Sequence, residues 1–126
     1  MSTGAQAYAR TAQVTASPRD IEAQALLKAA RKLQDVVASL AESDAGLEEA
    51  LLFNRKLWSI FVSDAMNDAN PESIEIRQNI ANIGIFVLSQ CAALKLQPEA
   101  SGFQSLIDIN RNIAAGLSAR GVAPAA

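Results

Sequence analysis

The chain has 126 residues, half of them apolar, with 11 basic and 13 acidic residues, a net charge of −2 and no histidine. This size holds one domain with a real core but not two. The interspersed charge offers no electrostatic footprint for DNA or RNA, and the lack of histidine removes Ser/His/Asp and Cys/His nucleophile sets and the common histidine metal sites.

Residues 1–16 are small and polar, with Tyr8 as their one large apolar group. They read as an arm, flexible or carrying a short helix around residues 5–13. The stretch lacks an apolar run of the signal-peptide kind, so no secretory leader is expected. The longest apolar runs are a few residues, and no membrane-spanning segment is expected.

Ser17-Pro18-Arg19-Asp20 opens the first helix, with Ser17 at the N-cap, Pro18 at the first position and Asp20 three residues on. Its apolar face runs Leu26, Ala29, Ala30, Leu33, Val36, Val37, Leu40, and it ends near Ala41. The second helix spans about 47–66. Its main face includes Leu47, Ala50, Leu51, Leu57, Trp58, Phe61, Val62 and Ala65. Phe53 and Ile60 widen the apolar arc to roughly 200°, beyond an ordinary amphipathic stripe. Asn67 to Pro71 is a stop and restart, with Asn70 as cap and Pro71 as first residue of the third helix. That helix runs to about Leu94 with Ile76, Ile80, Ile83, Val87, Cys91 and Leu94 on its face. Gly84 weakens it by about 1 kcal/mol relative to Ala, which a close helix contact would explain. Residues 97–102 read as a loop, with Ser101 capping a fourth helix from Phe103 to about Ser118.

The fold class is therefore all-α: an irregular bundle of four main helices over residues 17–120, preceded by the arm and followed by a flexible tail at 121–126. Short connections favour antiparallel neighbours. Cys91, the one cysteine, excludes an internal disulfide and suits a small buried hydrophobe. No phosphate-binding glycine loop occurs, and Glu48 and Glu49 are explained by the dipole of the second helix. No enzymatic activity, cofactor or metal is expected.

Two asparagines stand out. Asn54 and Asn110 each sit at the centre of an apolar helical stripe, in Leu51-x-x-Asn54-Arg55-x-Leu57-Trp58 and Ile107-x-x-Asn110-Arg111-x-Ile113-Ala114. A buried amide must be hydrogen-bonded. Either the two bond each other, a backbone carbonyl or buried water, or one offers its amide to a partner. Arg55 and Arg111 lie about 100° round from them, near the edge of the face. Phe53, Ile60, Ile85 and Phe86 fall outside the main faces and either line a wide core or form a binding patch. The candidate partner-binding residues are Tyr8, Phe53, Asn54, Leu57, Trp58, Ile60, Phe86, Asn110 and Arg111.

Four stretches carry a family likeness. They are Ala7-Tyr8-Ala9-Arg10 with Ser17-Pro18-Arg19-Asp20-Ile21-Glu22-Ala23, then Leu26 to Leu33, then Asn54-Arg55-Lys56-Leu57-Trp58-Ser59, and finally Leu106 to Leu117. In this order and spacing the chain resembles the bacterial flagellar protein FlaF family. It departs at Asn70-Pro71-Glu72, where family members often carry Leu-Pro. The resemblance implies a small helical cytoplasmic protein without enzymatic activity. It would bind flagellin as a secretion and assembly chaperone and support flagellin synthesis and export through the type III route to motility. The alternative is a post-transcriptional regulator of flagellin expression that acts by protein contact with FlbT, without touching nucleic acid. Weak self-association is a third way to cover exposed apolar residues. The expected groove joins the wide arc of the second helix to the Phe86 edge of the third, with Tyr8 covering it when no client is bound.

Overall fold

The computed structural model describes residues 17–121. They form four helices: α1 (Pro18–Ser39), α2 (Leu47–Ala65), α3 (Ile74–Leu96) and α4 (Ala100–Gly121). The all-α bundle expected from periodicity is the observed fold. Tyr8 and the rest of the arm lie outside the described residues.

Each helix start has a local cause. Ser17 Oγ accepts from the Asp20 amide at 3.1 Å, and Pro18 supplies a preset φ without losing a hydrogen bond. Before α2 the chain turns through Gly46 at φ +79°, a left-handed conformation that glycine adopts without steric cost. Ser73 Oγ accepts from the Ile76 amide at 3.3 Å and caps α3. This corrects the expected cap at Asn70. That residue holds the turn instead: its Oδ1 accepts from the Glu72 amide and its Nδ2 donates to the Asp64 carbonyl, both at 2.9 Å. The fourth helix also begins earlier than expected, at Ala100. Ser101 is inside its first turn, and the Phe103 amide donates to the Glu99 carbonyl at 3.2 Å.

The helices alternate in direction. The start of α1, the end of α2, the start of α3 and the end of α4 converge around one cleft. At the opposite pole Lys32 meets Glu49 and Lys95 meets Glu48, joining the ends of α1 and α3 to the start of α2. The most extensive helix pairings are α1 with α4 and α2 with α3; α3 and α4 touch much less. Alanines buried on both α1 and α4 (Ala23, Ala30, Ala114) allow a close approach. The core between the pairs is filled by Leu26, Leu33, Trp58, Phe103, Leu106 and Ile107, each at most 1 % exposed.

Helix α3 is the unusual element. By length and composition it is apolar enough to cross a membrane, which corrects the expectation that no segment is. Contiguous runs hid this, because the residues that interrupt them, such as Asn79, Asn82, Ser89 and Gln90, are polar but uncharged. Only Gly84, Val87, Cys91 and Leu94 of this helix are buried. A helix apolar all round normally sits in the middle of a core; this one lies at the side of the bundle.

Candidate interaction surface

Of the nine residues singled out from the sequence, Tyr8 lies outside the described residues, and the other eight separate into an interior set and a surface set. Asn54 and Asn110 are fully buried and bond each other: Asn110 Nδ2 donates to Asn54 Oδ1 at 2.7 Å. Asn54 Nδ2 donates to the Ala50 carbonyl at 2.8 Å and to the Ala29 carbonyl at 3.3 Å. Trp58 Nε1 donates to Asn110 Oδ1 at 2.8 Å, which closes the network. Three helices, α1, α2 and α4, are thereby locked in register. Among the described residues no buried side-chain nitrogen or oxygen lacks a partner. Asn54, Trp58 and Asn110 present no surface in this fold, so a partner meets them only if the bundle opens. Leu57 is half-buried against the same core.

Phe53 is not free either. Its ring lies beneath the ammonium groups of Lys28 and Lys32, 5.5 and 5.3 Å from the centroid, and it is half-buried on the α1 side of α2. Val62 lies about 180° round the same helix and faces α3, where a methyl added at Gly84 would overlap it. The Phe53–Ile60 edge and the Phe86 edge therefore lie on opposite flanks of α2, and the groove expected between them is not formed. Ile60 (63 % exposed), Phe86 (48 %) and Arg111 remain on the surface.

What the structure assembles instead is a stripe on α3. Ile74, Ile85 and Leu96 are 64 %, 57 % and 84 % exposed. They recur every eleven residues, which is three turns plus about 20°. They therefore stack along one line for about 33 Å, roughly 140° round α3 from the centre of its buried face of Gly84, Val87, Cys91 and Leu94. Ala92 lies on the same line and is exposed. Of the four residues expected outside the main faces, Phe53, Ile60, Ile85 and Phe86, only Ile85 lies on this line. The eleven-residue recurrence was visible in the sequence as Ile-x10-Ile-x10-Leu.

The second feature is the cleft at the convergent helix ends, with a volume of about 480 Å³. Phe61, which meets Trp58 edge-on at 5.3 Å, lines it together with Ile80, Ile113 and Leu117. Its rim carries Arg19, paired with Glu72 at 3.3 Å, and Arg77, whose Nε donates to the Ala65 carbonyl at 2.7 Å. Burial, and next the nearby Asp64 charge, push the Glu22 carboxyl above its ordinary range, while Arg19 pulls the other way. No sequence window could have signalled this cleft, because four separate helix ends build it.

Neither feature resembles a reaction centre. The Cys91 thiol is pushed up to about 11 by burial, with Arg55 opposing, so it is not a thiolate nucleophile at neutral pH. Among the described residues no group of three or more acidic or cysteine side chains could hold a metal. Comparison with curated proteins and with solved structures gives no match. A family model described as flagellar protein FlaF matches residues 4–117, nearly the whole chain, and the chain belongs to this family of flagellar biosynthesis proteins.

Proposed function

We propose that the protein is a non-enzymatic chaperone that binds flagellin in the cytoplasm and supports its synthesis and export. Family membership supplies the process, flagellar biosynthesis. The observation that carries the finer reading is the Ile74–Ile85–Leu96 stripe, an apolar line on a helix that the bundle covers on one side only. A stripe about 33 Å long matches some 22 residues of a second helix. An amphipathic client segment laid along it is the helix-in-groove mode of recognition. Terminal segments of flagellin that are helical only in the filament are clients of this kind. Ordering such a segment costs free energy on binding, so a modest affinity is expected.

The test is size-exclusion chromatography with light scattering on the protein, its cognate monomeric flagellin and the mixture. A mixed complex is expected, and Ile85→Asp should abolish it while leaving the circular dichroism unchanged. A mixed complex indifferent to Ile85→Asp would move the contact away from α3. No complex with flagellin, together with co-purification of FlbT, would replace the chaperone reading by that of a regulator working through FlbT.

A further inference from the structure

The seam between α1 and α2, on the flank of α2 away from α3, brings apolar and cationic side chains together. Phe53 sits in it, half-buried, with the Lys28 and Lys32 ammonium groups 5.5 and 5.3 Å from its ring centroid. Ile60 lies seven residues beyond Phe53, and Ile21 lies seven residues before Lys28. Each step is two turns less about 20°, so both isoleucines stay on the seam. The two helices are antiparallel, so the steps run the same way and bring Ile21 and Ile60 to one height about 10 Å from the ring. Their neighbours Glu22 and Asp64 mark the same level, being close enough for Asp64 to raise the Glu22 carboxyl. Ile21 is 44 % and Ile60 63 % exposed.

Charge is distributed unevenly along this seam. At one end Lys32 is engaged by Glu49 at 2.8 Å, with Asp35 beside them. At the isoleucine end the nearby charges are the acids Glu22 and Asp64. Between the two ends, Lys28 on α1 and Lys56 on α2 are exposed, and among the described residues neither makes an ion pair. Lys56 follows Phe53 by less than one turn, on the solvent side of α2. The ring thus has an unneutralised lysine on each helix beside it. The complement is a row of apolar groups with carboxylates at the height of these lysines. A second copy docked about a twofold axis would set lysines against lysines. An anionic bilayer takes up apolar groups that protrude, whereas the Phe53 ring lies beneath ammonium groups.

We propose that the α1–α2 seam docks an acidic amphipathic helix of a partner protein, with its apolar side chains on Ile21, Phe53 and Ile60 and its carboxylates on Lys28 and Lys56. From Ile21 to Lys32 the seam is about 16 Å long, three turns of such a helix. It lies on the other flank of α2 from α3, so its occupant does not compete with the client of the Ile74–Ile85–Leu96 stripe. The protein then holds two partners at once, one on each side of α2.

The probe is a cross-linked, alanine-based helical peptide of about 15 residues, roughly four turns, with leucines along one face and glutamates flanking them. It is titrated into the full chain and followed by fluorescence anisotropy and by amide shifts. Shifts are expected around Ile21, Lys28, Phe53 and Ile60. Lys28→Gln/Lys56→Gln should weaken binding about fivefold, the combined scale of two exposed ion pairs, and replacing the peptide's glutamates by glutamine should do the same. Ile60→Ser should weaken it about tenfold. Circular dichroism should be unchanged in each variant, and Ile85→Asp should bind the peptide as the native chain does. No binding, equal binding of the glutamine peptide, or shifts centred on α3 would overturn the proposal. Retention on phosphatidylserine vesicles that requires Lys28 and Lys56, without peptide shifts in the seam, would assign the surface to a membrane. A dimer in light scattering that Ile60→Ser dissolves would assign it to a second copy. Either result also overturns the proposal.

Discussion

Replacing Asn110 by leucine tests the buried network most sharply, because Asn110 is its node. Its Oδ1 takes the Trp58 indole proton and its Nδ2 serves Asn54 Oδ1. Asn110→Leu leaves two buried polar groups without a partner. At about 1–3 kcal/mol for each orphaned group, the loss is about 2–6 kcal/mol. Asn54→Leu is milder. The Ala50 and Ala29 carbonyls that Asn54 serves lie in helix interiors and retain the backbone amides four residues on, so only the Asn110 amide donor is orphaned, costing about 1–3 kcal/mol. In the double variant the two amides vanish together, and Trp58 Nε1 alone remains unsatisfied. The double variant should therefore be more stable than Asn110→Leu, although it carries an additional mutation. Such a reversal is the mark of a closed polar network. Urea unfolding followed through Trp58 fluorescence and circular dichroism gives the four stabilities, provided the slope with denaturant stays constant. If the double variant loses the sum of the single losses, the asparagines act independently and the network is not the lock described above. The double variant should also bind flagellin normally, since neither side chain reaches the surface.

Other outcomes follow from single contacts. Gly84→Val should destabilise by about 1–3 kcal/mol in the same unfolding assay, because its side chain overlaps Val62 and crowds Trp58; Val62→Ala added to it should recover part of that loss. Because burial raises the folded-state pKa of Cys91 to about 11, the unfolded chain gives up the thiol proton first as pH rises. Stability tied to this thiol is fully present below its unfolded pKa of about 8.5 and declines from there up to about 11. Urea titrations should show that decline in the native chain and not in Cys91→Ala. Phe53→Ala removes a ring that holds two lysine stems on a half-exposed face; it should cost about 1 kcal/mol in stability and leave light-scattering profiles with flagellin unchanged.

Legibility of the fold from the sequence depended on how local each cause was. Ser17-Pro18 acts within one turn, and its helix start was readable to the residue. The stripes around Asn54 and Asn110 showed that both amides face inward, and a mutual bond was among the readings open. The Asn70-Pro71 pair misled because both residues suit a helix start. The turn used Asn70 to tie Glu72 to Asp64, and Ser73 took the cap. Ser101 and Gly102 look like loop, yet the Glu99 carbonyl draws their segment into the first turn of α4. Phe53 looked exposed because periodicity does not reveal that lysine stems from a neighbouring helix cover it. The axis of the apolar surface was misplaced for a related reason. Arc width marks α2, whereas α3 packs by one side only, a fact set by how little α4 touches it.

The division of labour among the helices follows from where the polar atoms are. α1, α2 and α4 share a network whose bonds have direction, so a shift of any one of them breaks a buried hydrogen bond. α3 has no part in it. It is held chiefly against α2, by contacts that depend on area and fit at Gly84, Val87, Cys91 and Leu94, with one directional bond from Arg77 Nε to the Ala65 carbonyl at its first turn. Apolar contacts lack direction and tolerate small sliding motions that a hydrogen-bonded network does not. Beyond the Arg77 bond at its first turn, the element with the unpartnered apolar stripe is therefore also the one that can adjust its position without breaking the buried asparagine network. The proposed chaperone role, accepting an irregular client and later releasing it, would use such a helix on such a base. Moving the polar lock onto α3, for example by a buried asparagine pair across the Gly84–Val62 contact, should stiffen the helix and reduce flagellin binding even with Ile74, Ile85 and Leu96 intact. Light scattering of that variant with flagellin, beside hydrogen exchange of α3, would separate the need for an apolar stripe from the need for an adjustable one.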